Sequence, residues 1–101
     1  MKVNLKISSV HFDADKDLIE FIQERVGKLS NHFDKIIDGE VVLKVENSHD
    51  TENKVAEIKL LIPGNDIFAK KQCKTFEEAT DNAVEALRRQ LKKHKEKQRQ
   101  A

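Results

Sequence analysis

The chain is poor in the residues that build covalent and redox frameworks. Its 101 residues include one cysteine (Cys73), one proline (Pro63), three glycines, and no tryptophan or tyrosine. A single thiol closes no internal disulfide, so a reducing, cytoplasmic setting is expected. Three scattered glycines form no phosphate-cradling loop. The four histidines, His11, His32, His49 and His94, lack metal-ligand spacing and read as surface residues. No apolar run is long enough to span a bilayer, and Met1 to Lys6 has no apolar leader segment. No G-x-S-x-G-type nucleophile motif occurs, and the carboxylates are spread among lysines with no pair singled out. Cys73 reads as an ordinary strand cysteine. These absences predict a binding protein and not an enzyme, with no cofactor, metal or small-molecule substrate, and with no attachment to a membrane.

Aromatic residues are scarce as well. There are five phenylalanines, of which Phe21, Phe33 and Phe76 read as core or near-core. The strands therefore lack the exposed aromatic pairs with which sheet-binding modules stack single-stranded bases. Any nucleic-acid recognition should be of backbone and shape, made by helices.

Charge is what the chain has in quantity, and its distribution is uneven. The totals are 19 basic and 18 acidic groups, a formal net charge of +1. Residues 88–101 hold seven of the basic groups and one of the acidic, Glu96, for a balance of +6. Residues 1–87 carry the remaining 12 and 17, a balance of −5. Such asymmetry points to a polyanionic or acidic partner for one end.

Hydrophobic periodicity gives the order β-α-β-β-β-α. Val3, Leu5 and Ile7 alternate with polar residues as in a half-buried strand. Asp13, Asp15 and Asp17 crowd a helix start, where carboxylates suit the free N–H groups. Leu18, Ile22, Val26, Leu29 and Phe33 then form one helical stripe, with Gly27 inside it. Strands follow around Val41 to Val45, Ala56 to Ile62 and Ile67 to Lys74, the last suited to a sheet edge with its lysines exposed. Ser48 to Asn53 and Pro63 to Asp66 read as turns. Thr75 and Glu78 form a capping box before the stripe Phe76, Ala79, Ala83, Leu87 and Leu91. Nothing breaks that helix beyond Leu91. The predicted fold is α+β: a four-stranded sheet with both helices on one face and the other face wet, as antiparallel sheets permit. Residues 1–101 are expected to form a single domain, with residues 92–101 as a basic helical extension.

At 100° per residue, Arg88, Lys92, Lys95 and Arg99 fall in one sector of the last helix, with Arg89 and Lys93 in an adjacent row. Arg25 and Lys28 leave the first helix along one flank. A ridge of long cationic side chains suits phosphates, and arginine forks bind them bidentately. Stabilising i,i+4 acid–base pairs, common on merely solvated helices, are nearly absent from this segment.

Several segments together carry a family resemblance. They are Glu20 to Leu29, His32 to Ile36, Val41 to Glu46, and Ala79-Thr80-Asp81 leading to Leu87-Arg88-Arg89-Gln90-Leu91-Lys92-Lys93-His94-Lys95. They resemble the ribosome hibernation-promoting factor family, which includes ribosome-associated inhibitor A and was also called sigma-54 modulation protein. The resemblance implies a fold similar to a double-stranded-RNA-binding domain. It implies binding of the small ribosomal subunit and its ribosomal RNA in the mRNA/tRNA decoding channel, with translation blocked in starvation or stationary phase. The matching RNA-binding positions are Arg25, Lys28, Arg88, Arg89, Lys92, Lys93 and Lys95. Members often carry tyrosine where this chain has Glu77, and long members add a C-terminal dimerisation domain. This chain resembles the short type and is expected to be a monomer in isolation. The alternatives are a protein-interaction module docking its basic helix on an acidic partner such as a transcription factor, and a generic duplex-RNA binder.

Overall fold

The computed structural model describes residues 4–10, 12–33, 35–46 and 52–100; the side chains of Asn4, His32 and residues 95–100 are not among those described. The elements are β1 (Asn4–Val10), α1 (Lys16–His32), β2 (Asp38–Val45), β3 (Lys54–Ile62), β4 (Asn65–Cys73) and α2 (Phe76–Gln100), in the expected order.

Each boundary has a local cause. Asp15 is the N-cap of α1: its backbone is extended and its carboxylate accepts from the Leu18 N–H at 2.8 Å. At the other end the Phe33 N–H donates to the Leu29 carbonyl. The β3–β4 turn holds Pro63 and Gly64, and Gly64 has φ 79°, a region glycine enters without steric cost. Thr75 caps α2, its hydroxyl accepting from the Glu78 N–H at 3.1 Å. The turn expected at Ser48 to Asn53 lies mostly outside the described residues, as do His11 and His49.

The strands lie in sequence order, β1-β2-β3-β4. β2, β3 and β4 are joined antiparallel, but β1 runs parallel to β2, with Ile7 opposite Val41. The sheet is mixed because α1 lies between β1 and β2, and a helix in that place is the crossover that parallel neighbours need. β4 is an edge strand, as expected.

Both helices pack on one sheet face. Ile22, Val26, Leu29 and Phe33 of the α1 stripe and Ala79, Ala83, Leu87 and Leu91 of α2 join Val41, Leu43, Ile58, Leu60, Ile67 and Ala69 in one core. The opposite face carries Glu40, Lys44, Glu57, Lys59 and Lys70. There Lys44 and Glu57 pair at 2.7 Å, and that hydrogen bond and charge hold the Lys44 ammonium above its ordinary pKa. This face is not wholly polar, since Phe68 is 50% and Leu61 41% exposed.

Candidate nucleic-acid interface

The core stripe of α2 ends at Leu91, while the helix continues to Gln100. Its last nine residues add about 13 Å of helix beyond that stripe. Of the predicted basic positions on α2, Arg88 and Arg89 lie alongside the stripe, and Lys92 and Lys93 lie on the part beyond Leu91. Lys95 lies on this part of α2, but its side chain is outside those described.

Contacts of α2 with its neighbours orient its two cationic rows. Asp81 reaches Arg25 on α1, so the flank bearing Asp81 and Arg88 turns towards α1. Asn82 donates to Cys73 Sγ at 3.2 Å, so the flank bearing Asn82, Arg89 and Lys93 turns towards β4. Lys92 projects between them.

The seven predicted cations are not equivalent. Lys92 and Lys93 are exposed, and neither pairs with a carboxylate among the described residues. Arg88 is engaged by Glu85: Nη2 donates to Oε1 at 2.7 Å and Nε to Oε2 at 3.2 Å. This fork raises the Arg88 pKa and holds the Glu85 carboxyl below its ordinary range. Arg89 approaches the same carboxylate at 3.8 Å and is otherwise solvated. Lys28 has only a loose i,i+4 contact with Glu24, at 3.8 Å.

Arg25 is the most engaged of the seven. Its Nε lies 3.1 Å from Asp81 Oδ1, and its guanidinium carbon sits 4.7 Å from the centroid of the Phe21 ring. The side chain links the two helices and borders the basic surface.

Sequence reasoning passed over Glu85. Its spacing from Arg88 and Arg89, i,i+3 and i,i+4, was the available signal. The histidine reading also needs correction at His94, which is half-buried, with its ring edge-on to Phe33 at 6.1 Å between centroids. Position 94 falls on the core side of α2, one turn past Leu91. Glu77, where family members often have tyrosine, stands exposed on the rim of a cleft of about 580 Å³. The cleft is floored by Phe12, Leu18, Phe21 and Phe76 and also edged by Asp13, Asp15 and Asp17. Its acidic rim is unsuited to phosphate.

Among the described residues no group of three or more His, Cys, Asp or Glu is placed to hold a metal, and no helix is long and apolar enough to cross a membrane.

A profile described as sigma 54 modulation protein / S30EA ribosomal protein matches residues 5–99. The chain belongs to that family. It is 39% identical over 98 residues to a ribosome hibernation promoting factor of Pseudomonas putida, covering 97% of this chain and 90% of the relative. It is 33% identical to the protein of that name from Escherichia coli K12, covering 97% of this chain and 99% of the relative. Among solved structures, a ribosomal subunit interface protein from Coxiella burnetii superposes with a TM-score of 0.82 at 17% identity, over 92% of this chain and 98% of that one. The N-terminal domain of Thermus thermophilus Protein Y gives 0.78 at 19% identity, over 93% and 99%. Both share the fold seen here.

Proposed function

We propose that this protein is a ribosome hibernation factor that occupies the decoding channel of the small ribosomal subunit and so blocks translation. The action is steric and non-catalytic. The observation that carries the reading is the pair of exposed cations, Lys92 and Lys93, which meet no carboxylate among the described residues and stand on a helix that continues past its core stripe. Relatives at 33–39% identity named for ribosome hibernation supply the biological setting.

The mechanism follows from the geometry. The sheet and core hold α2 rigidly, so its cations meet RNA phosphates without further ordering of the backbone. Lys92 and Lys93 meet phosphate directly, with no carboxylate among the described residues to exchange. Arg88 and Arg89 exchange Glu85 for phosphate, and Lys28 exchanges Glu24. Arg25 exchanges Asp81 for phosphate in the same way and so joins Lys28 and Arg88 in one surface. Residues 92–101 act as the basic extension of a single-domain protein that works in the cytoplasm as a monomer.

Co-sedimentation with small subunits over a salt series tests this. With about six phosphates neutralised, log affinity falls with log salt at a slope of roughly −4 to −6. The triple charge reversal Arg89→Glu, Lys92→Glu and Lys93→Glu abolishes binding while leaving thermal unfolding in place. Salt-independent binding, or normal binding by the triple variant, overturns the proposal. Capture of an acidic protein in place of ribosomes favours the interaction-module reading, and equal affinity for any long RNA hairpin favours the generic duplex binder.

A further inference from the structure

We infer that the phosphate-binding surface turns the corner from α2 onto strand β4, where Lys71 and Lys74 join Arg89 and Lys93 in a second cationic track for an RNA backbone. The inference rests on the RNA-binding reading above and extends it to an edge of the sheet.

Two cross-links fix how α2 lies along β4. Towards one end Asn82 donates to Cys73 Sγ at 3.2 Å. Towards the other, Gln90 Nε2 donates to the Phe68 carbonyl at 2.9 Å. The helix therefore runs antiparallel to the strand, with residues 82–90 alongside residues 73–68. Interpolating between these anchors puts Lys71 abreast of Glu85 and Ala86, one turn short of Arg89. Asn82, Arg89 and Lys93 fall within about 40° of one another around the helix axis. The Asn82–Cys73 contact thus assigns Arg89 and Lys93 to the β4 side.

The strand supplies the rest. Lys71 is in register with Ala56, whose side chain is in the core, so Lys71 leaves the sheet on the helix face. It is exposed because β4 is the outermost strand. Lys74 follows Cys73 and is also exposed. Lys70 leaves by the other face, opposite Glu57, and is not part of the track.

Electrostatics separates this track from ordinary surface charge. Lys71, Lys74 and Lys93 have no carboxylate partner among the described residues, and Arg89 has only its 3.8 Å approach to Glu85. By position, Glu78, Glu85 and Glu96 are the acids on or beside that flank of α2. Lysines on an edge strand also guard against strand pairing. That role does not account for Lys74, which lies past the last ladder pair, Lys54 with Cys73.

The double variant Lys71→Gln, Lys74→Gln tests the track in co-sedimentation with small subunits across salt. Its log affinity should fall less steeply with log salt, by about 1 to 2 in slope, with weaker binding at fixed salt and unchanged thermal unfolding. The control Lys6→Gln, Lys16→Gln removes equal charge elsewhere and should leave the slope as in the parent. An unchanged slope in the test variant, or an equal change in the control, overturns the inference. So does self-association of the test variant with the parental slope, which assigns these lysines to edge protection. The variant Lys92→Glu, Lys93→Glu tells the two failures apart. If it binds as the parent does, the RNA-binding reading itself falls. If it loses binding while Lys71→Gln, Lys74→Gln keeps the full slope, only the β4 track falls.

Discussion

The Arg25 guanidinium on α1 lies against Asp81 on α2, Nε to Oδ1 3.1 Å, with the Phe21 ring on its other side. This contact ties together the two helices that carry the basic surface. Both side chains are partly solvated, so the pair is worth well under 1 kcal/mol, about 0.5 in a double-mutant cycle of Arg25→Gln with Asp81→Asn. The expected pattern is that Asp81→Asn leaves ribosome affinity at or slightly above the parental value, because Arg25 then adds an unpaired charge. A loss of affinity in Asp81→Asn equal to that in Arg25→Gln would show that spacing of the helices dominates.

Glu85 restrains the same surface from within. It holds Arg88 by a two-point fork and attracts Arg89. An exposed pair of this kind is weak, so Glu85→Gln should raise affinity for small subunits only about two- to fivefold at low salt. Equilibrium binding of the parent and Glu85→Gln checks this, with Glu78→Gln as a control of equal charge lacking the fork. Equal gains in both variants would reduce the effect to net charge.

Much of this architecture was legible in the residues. Alternation in β2 and β3 and the stripes of α1 and α2 place nearly all of the core, because burial on one face imposes period on sequence. The capping residues Asp15 and Thr75 could also be read, since their bonds are local. The parallel pairing of β1 with β2 was not legible. It depends on where α1 returns the chain, and no short-range signal encodes that. The site was half legible. Lysines and arginines at 100° spacing gave the two rows, but pairing of Arg25 with Asp81 joins residues far apart in sequence. The contribution of Lys71 and Lys74 emerges only once Asn82 and Gln90 anchor α2 along β4.

The Glu85–Arg88 pair carries a pH signature. Hydrogen bonding from Arg88 is the largest cause and stabilises the ionised carboxyl; desolvation opposes it, and the charges of Arg88 and Arg89 add to the lowering. The folded pKa is therefore below the unfolded one. The pair's contribution to stability is fully present above the unfolded glutamate pKa and is lost as pH falls through the folded value. A carbon-detected NMR titration should find Glu85 titrating below its ordinary range, and Arg88→Gln should bring it back. At pH below the folded value, parent and Arg88→Gln should be equally stable. A Glu85 titration unaffected by Arg88→Gln would dissolve the fork in solution.

Gly27 gives the last prediction, and it concerns stability alone. The residue sits in the middle of α1 with negative φ, where glycine is unfavourable because it loses the most backbone freedom on folding. A Cβ built there meets nothing within 4 Å, so the fold accepts a side chain without adjustment. Its carbonyl already accepts from the Ser30 hydroxyl at 2.6 Å, a bond that alanine preserves. Gly27→Ala should therefore stabilise the protein by about 0.5–1 kcal/mol, through helix propensity and a less flexible unfolded chain. Urea unfolding checks it: the midpoint should rise with an unchanged m-value. Position 27 lies on the flank of α1 away from Arg25 and Lys28, so affinity for small subunits should stay at the parental level. A loss of affinity in a stabilised Gly27→Ala would mean that the ribosome closes on this flank of α1 too, and the binding surface would have to be redrawn around it.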